Sequence, residues 1–200
     1  MKERMTQRRK QALETKERIR SAAFELFNQY GYENVSMQDI AAKAGCSAGN
    51  LYHYFPGKDS LVLQFTDHVD TIYESIAGSM QEDTRPAVER LRSFMVRAIV
   101  ESNREEVITM GFSHALQHPE QKTLAINDSR PYFRILSDLV RQCIMEGSIP
   151  ESYTTEEIMR RLMIIQRGIL FQWRIEQRSF DIEAMSGCLV NAVLSDICRH

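Results

Sequence analysis

The chain has 200 residues, 43% of them hydrophobic and 26% charged, with a net charge of −2. That is ordinary composition for one or two folded domains. No apolar run approaches the ~20 residues of a membrane helix, and the basic start MKERMTQRRK is followed by no apolar stretch of the kind a secretory leader carries. The expectation is a cytoplasmic protein with no membrane partner. Its scattered cysteines, Cys46, Cys143, Cys188 and Cys198, form no Cys-x-x-Cys pair and are expected to stay reduced. The charge is uneven. Residues 1–60 hold ten Lys/Arg against seven Asp/Glu, and residues 61–200 hold fifteen against twenty.

Helical periodicity runs through the chain and strand alternation is nearly absent. Residues 1–14 are basic and read as a flexible arm. From Thr15, a candidate N-cap, Ile19, Ala22, Ala23, Leu26, Phe27 and Tyr30 make one apolar stripe of an amphipathic helix, closed by Gly31. A short helix opens at Ser36, with Asp39 at the capping-box spacing and Val35 and Ile40 at the staple positions. It ends at Ala44, and Gly45 supplies the turn. A third helix opens at Ser47 and stops at Pro56-Gly57. A fourth starts near Lys58 and carries Leu61, Val69, Tyr73 and Ile76 toward a core. Later punctuation predicts helices near 86–103, 105–117, 121–146, 154–177 and 182–198, with Pro131 breaking or kinking the longest. The fold class is therefore all-α, with about nine helices.

The segment SMQDIAAKAGCSAGNLYHYF, residues 36–55, has the pattern of a helix-turn-helix, two short helices crossing on a turn of three or four residues. Ile40 and Ala44 face inward from the first helix, and Ala41 is small where the second crosses it. Leu51, Tyr54 and Phe55 fall on one side of the second helix. Gly49, Asn50, Tyr52 and His53 fall on the other, so its exposed start is small and polar. Such an end suits entry into a major groove.

Residues 15–70 are similar to the N-terminal domain of TetR-type repressors. The matching pieces are Phe27…Gly31, Ile40-Ala41…Ala44-Gly45-Cys46-Ser47, and Leu51-Tyr52-His53-Tyr54-Phe55…Lys58…Leu61. The resemblance implies a helix-turn-helix DNA-binding domain over residues 15–60. A helical regulatory and dimerisation domain would follow over residues 61–200. It implies base reading by Gln38, Ala48, Gly49 and Asn50, and phosphate contacts from Ser36, Ser47, Tyr52, His53, Tyr54 and Lys58. Gln and Asn suit adenine, and Ala a thymine methyl. Tyr54 points inward and reads equally well as core. The arm, with five basic residues and one acid between Lys2 and Lys10, either follows a minor groove or is a solvated tail.

Two reading heads need a dimer bound to a palindromic double-stranded operator. The last two helices are the expected four-helix bundle, through Ile165, Gly168, Ile169, Leu189, Ala192, Val193 and Ile197. Phe94, Met95, Ile99, Met110, Phe112, His114, Phe133 and Leu136 are candidates to line a pocket for a small, largely apolar effector. The same residues also have the spacing of plain core. His114 and His118 have the i, i+4 spacing of metal ligands, but no Cys, Asp or Glu stands beside them, so no metal is expected. Arg160, Arg167 and Arg174, seven apart, read as a solvated or interfacial edge. No catalytic constellation or cofactor motif is present. The function expected is a transcriptional regulator, most simply a repressor released by its effector. The rivals are an all-helical enzyme sited in the middle helices and a DNA-binding protein that senses nothing.

Overall fold

The computed structural model describes residues 2–102 and 130–198. Among them are eight α-helices and no strand: α1 Lys2–Tyr30, α2 Met37–Ala44, α3 Ala48–Tyr54, α4 Lys58–Ser79, α5 Ala87–Ser102, α6 Pro131–Met145, α7 Thr155–Ile175 and α8 Ile182–Cys198. None is long and apolar enough to cross a membrane. The helix expected over 105–117, and with it Met110, Phe112, His114 and His118, lies outside the described residues. The chain divides into two compact units, Met1–Asp67 and His68–His200.

The first unit corrects the reading of its start. α1 runs from Lys2, not from Thr15, so the basic segment is helix and not a flexible arm. Thr15 caps nothing; its hydroxyl donates back to the Gln11 carbonyl at 2.8 Å. The reason is propensity. Residues 2–14 are mostly Lys, Arg, Gln, Glu, Met, Ala and Leu, all strong helix formers, with no glycine or proline to interrupt them. One turn is further tied by Lys10 and Glu14 at 4.0 Å. The core of the unit is built from Ile19, Ala23, Phe27, Ile40, Leu51 and Phe55, each at most 3% exposed. α1 packs on α2, and α2 on α3.

In the second unit α5 packs against α6 and α8, and α7 packs against α6 and α8. Pro131 does not kink a helix here. It begins α6, with Arg130 as its N-cap, at the one position where a missing N–H costs nothing. The start of α5 is closed over a long sequence distance. The Glu146 carboxylate accepts the Ala87 N–H at 2.7 Å and sits 3.4 Å from Arg90, filling an orphan donor of the first turn.

The middle of this unit is aromatic. Tyr73 of α4 stands 4.8 Å from the Tyr132 ring and 6.5 Å from the Phe94 ring, and Tyr132 meets Phe133 edge-on at 5.5 Å. Phe94, Met95, Ile99 and Leu136 are fully buried around them. The hydroxyl of Tyr132 donates to the buried Gln166. Burial pushes the Tyr73 hydroxyl up to about 12, although hydrogen bonding to Ser102 pulls the other way. Beside this cluster Asp70 and Arg130 form a two-pronged ion pair, with both contacts at 3.0 Å and side chains only 13% and 18% exposed.

Removing one member of a buried pair strands the other charge. Asp70→Ala should therefore destabilise the protein by about 3 kcal/mol in chemical denaturation. The double change with Arg130→Met should recover most of that loss. Equal losses in the single and double variants would mean that the pair contributes nothing as a pair.

Candidate nucleic-acid interface

The turn between α2 and α3 is built from local signals. Ser36 is the N-cap of α2 in extended backbone, with its hydroxyl accepting the Asp39 N–H at 3.2 Å. The Asp39 carboxylate in return accepts the Ser36 N–H at 2.8 Å and the Ser36 hydroxyl at 2.6 Å. These bonds hold the Asp39 carboxyl below its ordinary range. At the other end Gly45 adopts φ 63° and ψ 39°, the left-handed conformation that a side chain resists. The Gly45 and Cys46 N–H groups donate to Ala42 and Ala41 at 3.2 and 3.0 Å, completing the last turn. Ser47 then caps α3, its hydroxyl accepting the Asn50 N–H at 3.2 Å.

These caps, with Ile40, Ala41, Ala44, Leu51 and Phe55 buried beneath, decide which side of α3 faces out. Gln38, Ala48, Gly49, Asn50, Tyr52 and His53 are exposed, as is Ser47. Ser36 and Lys58 are half-buried. Tyr54 is also half-buried, neither core nor free, and its ring lies edge-on to His53 at 5.2 Å. A cradle of amides, hydroxyls and small side chains at a helix start can accept base edges and phosphate oxygens.

One participant was not visible in the local pattern. Tyr32 connects the end of α1 to the start of α4. Its carbonyl accepts the Lys58 ammonium at 2.9 Å, and that ammonium lies 4.4 Å from its ring. Its hydroxyl donates to Asp59 at 2.6 Å. Burial, and then this bond to a carboxylate, pushes the phenol pKa up. Its ring packs 5.1 Å from Phe27. The signal in sequence is faint, an aromatic after Gly31, because the contact spans 26 residues.

Two sets of expected residues in the second unit are placed differently. Ile169 and Ile197 are 4% and 0% exposed, packed within their own chain, and so cannot meet a partner. Ile165 and Val193 are half-buried, while Gly168, Leu189 and Ala192 are exposed. The large outward apolar groups of α7 are Ile164, Phe171 and Ile175, 58–62% exposed, and those of α8 are Met185 and the expected Leu189. Of the candidate pocket residues, Phe94, Met95, Ile99 and Leu136 are fully buried, Phe133 is 6% exposed, and Met110, Phe112 and His114 lie outside the described residues.

Residues 19–65 match the model of bacterial regulatory proteins of the tetR family. Over those residues the chain carries the DNA-binding domain of that family. It is a helix-turn-helix transcriptional regulator. Over 202 residues it is 26% identical to the HTH-type transcriptional regulator SAR2658 of Staphylococcus aureus, covering 96% of this chain and 99% of the relative. In fold it is similar to FadR from Bacillus subtilis in complex with stearoyl-CoA, with a TM-score of 0.77 and 20% identity, covering 90% and 98% of the two chains. A triclosan complex of SmeT aligns with a TM-score of 0.69 and 20% identity, covering 91% and 90%.

The capping box has a pH signature. Asp39 has a lowered pKa when folded, so its support of α2 is complete above the ordinary carboxylate range. That support is lost as pH falls through the lowered value. An NMR titration should find Asp39 below its ordinary range in the native chain and closer to it in Ser36→Ala. An unmoved Asp39 would remove Ser36 as the cause.

Proposed function

We propose that the protein is a homodimeric, cytoplasmic repressor that acts by binding alone, leaving its operator when a small molecule occupies the second unit. The observation that carries this is the exposed start of α3, with the Asn50 amide and no bulky group, together with the exposed Gln38 amide on α2. Gln38, Ala48, Gly49 and Asn50 read bases. Ser36, Ser47, Tyr52, His53, Tyr54 and Lys58 hold phosphates on either side. Lys58 begins a helix, where the backbone already favours an anion, and Tyr32, itself bonded to Asp59, fixes where its ammonium points. An added Cβ at Gly49 would meet nothing within 4 Å. Packing does not demand glycine there, which leaves room for a close-fitting partner.

Two heads spaced one DNA turn apart, ~34–36 Å, require a dimer. The outward stripes of α7 and α8 supply the surface for it, centred on Ile164, Gly168, Phe171 and Ile175 with Met185, Leu189 and Ala192. A contiguous apolar stripe on two neighbouring helices is costly to leave wet. The similar structures hold stearoyl-CoA and triclosan, which supports a largely apolar effector for this chain as well.

Lys58→Ala should weaken binding to all DNA sequences alike and lower the salt slope by about one unit per half-site. Gln38→Ala or Asn50→Ala should cost roughly 1–3 kcal/mol on the operator and relax one base pair per half-site. A selected consensus that stays sharp at every position after both changes would show that other groups read the bases. Phe171→Glu should give monomers by sedimentation and abolish operator binding, because it places a carboxylate in the apolar interface. A dimeric Phe171→Glu that binds normally would move the interface elsewhere.

A further inference from the structure

A groove of about 660 Å³ runs between α6 and α7, within the size range of small-molecule sites. Its walls carry four arginines, Arg134 and Arg141 from α6 and Arg160 and Arg167 from α7. Among the described residues that line it are two carboxylates, Asp138 and Glu156. Arg141 lies 3.5 Å from Asp138, and Arg134 reaches Glu74 of α4 at 3.8 Å; both are exposed pairs, worth little. The groove is thus cationic in a stretch of chain, residues 61–200, that is acidic overall. Its floor is apolar, made by Phe133, Met159 and Met163. Phe133 and Met159 are 6% and 9% exposed.

Guanidinium groups in this number suit a planar or multidentate anion such as carboxylate or phosphate. Methionine and phenylalanine beneath them suit a flexible apolar chain. We propose that this groove is the effector site and that its ligand is an anionic amphiphile, an apolar chain ending in a carboxylate or phosphate. The proposal rests on the reading of the chain as an effector-responsive regulator. Phe133 on the floor touches Tyr132 edge-on at 5.5 Å, and Tyr132 lies 4.8 Å from Tyr73 of α4, the helix that begins with Lys58. On the other wall Arg167 follows Gln166, which accepts the Tyr132 hydroxyl. An occupant resting on Phe133 therefore bears on the ring stack.

Isothermal titration with laurate, dodecyl phosphate, dodecanol and pyrophosphate separates chain from charge. Dodecyl phosphate or laurate should bind at one site per chain, and the better of the two identifies the head group. Dodecanol should bind at least about tenfold more weakly because it lacks a charge-assisted contact, worth more than about 1.4 kcal/mol, and pyrophosphate at least about tenfold more weakly because it has no apolar chain to bury. Arg141→Glu and Arg160→Glu should weaken the bound amphiphile about tenfold or more. They should leave the ligand-free protein's melting temperature, dimer mass and operator affinity unchanged. Operator binding without any amphiphile tests the regulator reading by itself. A protein that binds operator but no amphiphile overturns the groove proposal alone. Equal binding by the charge-reversed variants overturns it too, as does their dissociation into monomers, which would assign the groove to the contact between copies.

Discussion

A seven-residue helix has no stability of its own in water, and α3 is such a helix. It exists because Leu51 and Phe55 are buried beneath it, because Ser47 closes its first turn, and because Gly45 can take a conformation closed to other residues. Everything required of the first unit depends on that imposed position. The capping box of α2 and the small side chains of Ala41 and Ala44 set the crossing. The bonds of Tyr32 then fix the start of α4 next to it. The outward face is left without a packing role, which is the condition for using it on a partner.

The second unit follows a different logic. Its centre is apolar in bulk but contains Tyr73, Tyr132, Gln166, Ser102 and the Asp70–Arg130 pair. Buried polar groups are costly unless satisfied, and these satisfy one another. They connect α4, α5, α6 and α7 by directional bonds rather than by area alone, so a displacement at one helix cannot be absorbed by sliding. A sensor needs that stiffness, because an interior free to repack would dissipate the push of an effector.

Local features were legible in the sequence. The Ser36–Asp39 box, the Gly45 turn and the inward set of Ile40, Ala41, Ala44 and Leu51 follow from spacing alone, since the partners lie within four or five residues. Thr15 misled because a cap residue before an apolar stripe looks like a beginning, although the Lys, Arg, Gln and Glu upstream are equally good helix formers. Tyr32 escaped notice because its partners at 58 and 59 are remote in sequence. Ile169 and Ile197 misled for a further reason. Helical spacing identifies apolar stripes, but α7 has two, one turned into its own protomer and one outward. Only the packed structure shows that Ile164, Phe171 and Ile175 form the outward one.

The exposed positions 38, 48, 49 and 50 share no buried contact with the framework that holds them. With base reading assigned to them as proposed, changes there would alter what the head recognises while leaving the fold's stability nearly untouched, so that recognition and folding could evolve independently. A lineage carrying this chain could acquire a new operator by single substitutions without passing through an unstable intermediate. The same separation makes the head a practical starting point for re-targeting, provided Ser36, Asp39, Gly45 and Ser47 are kept.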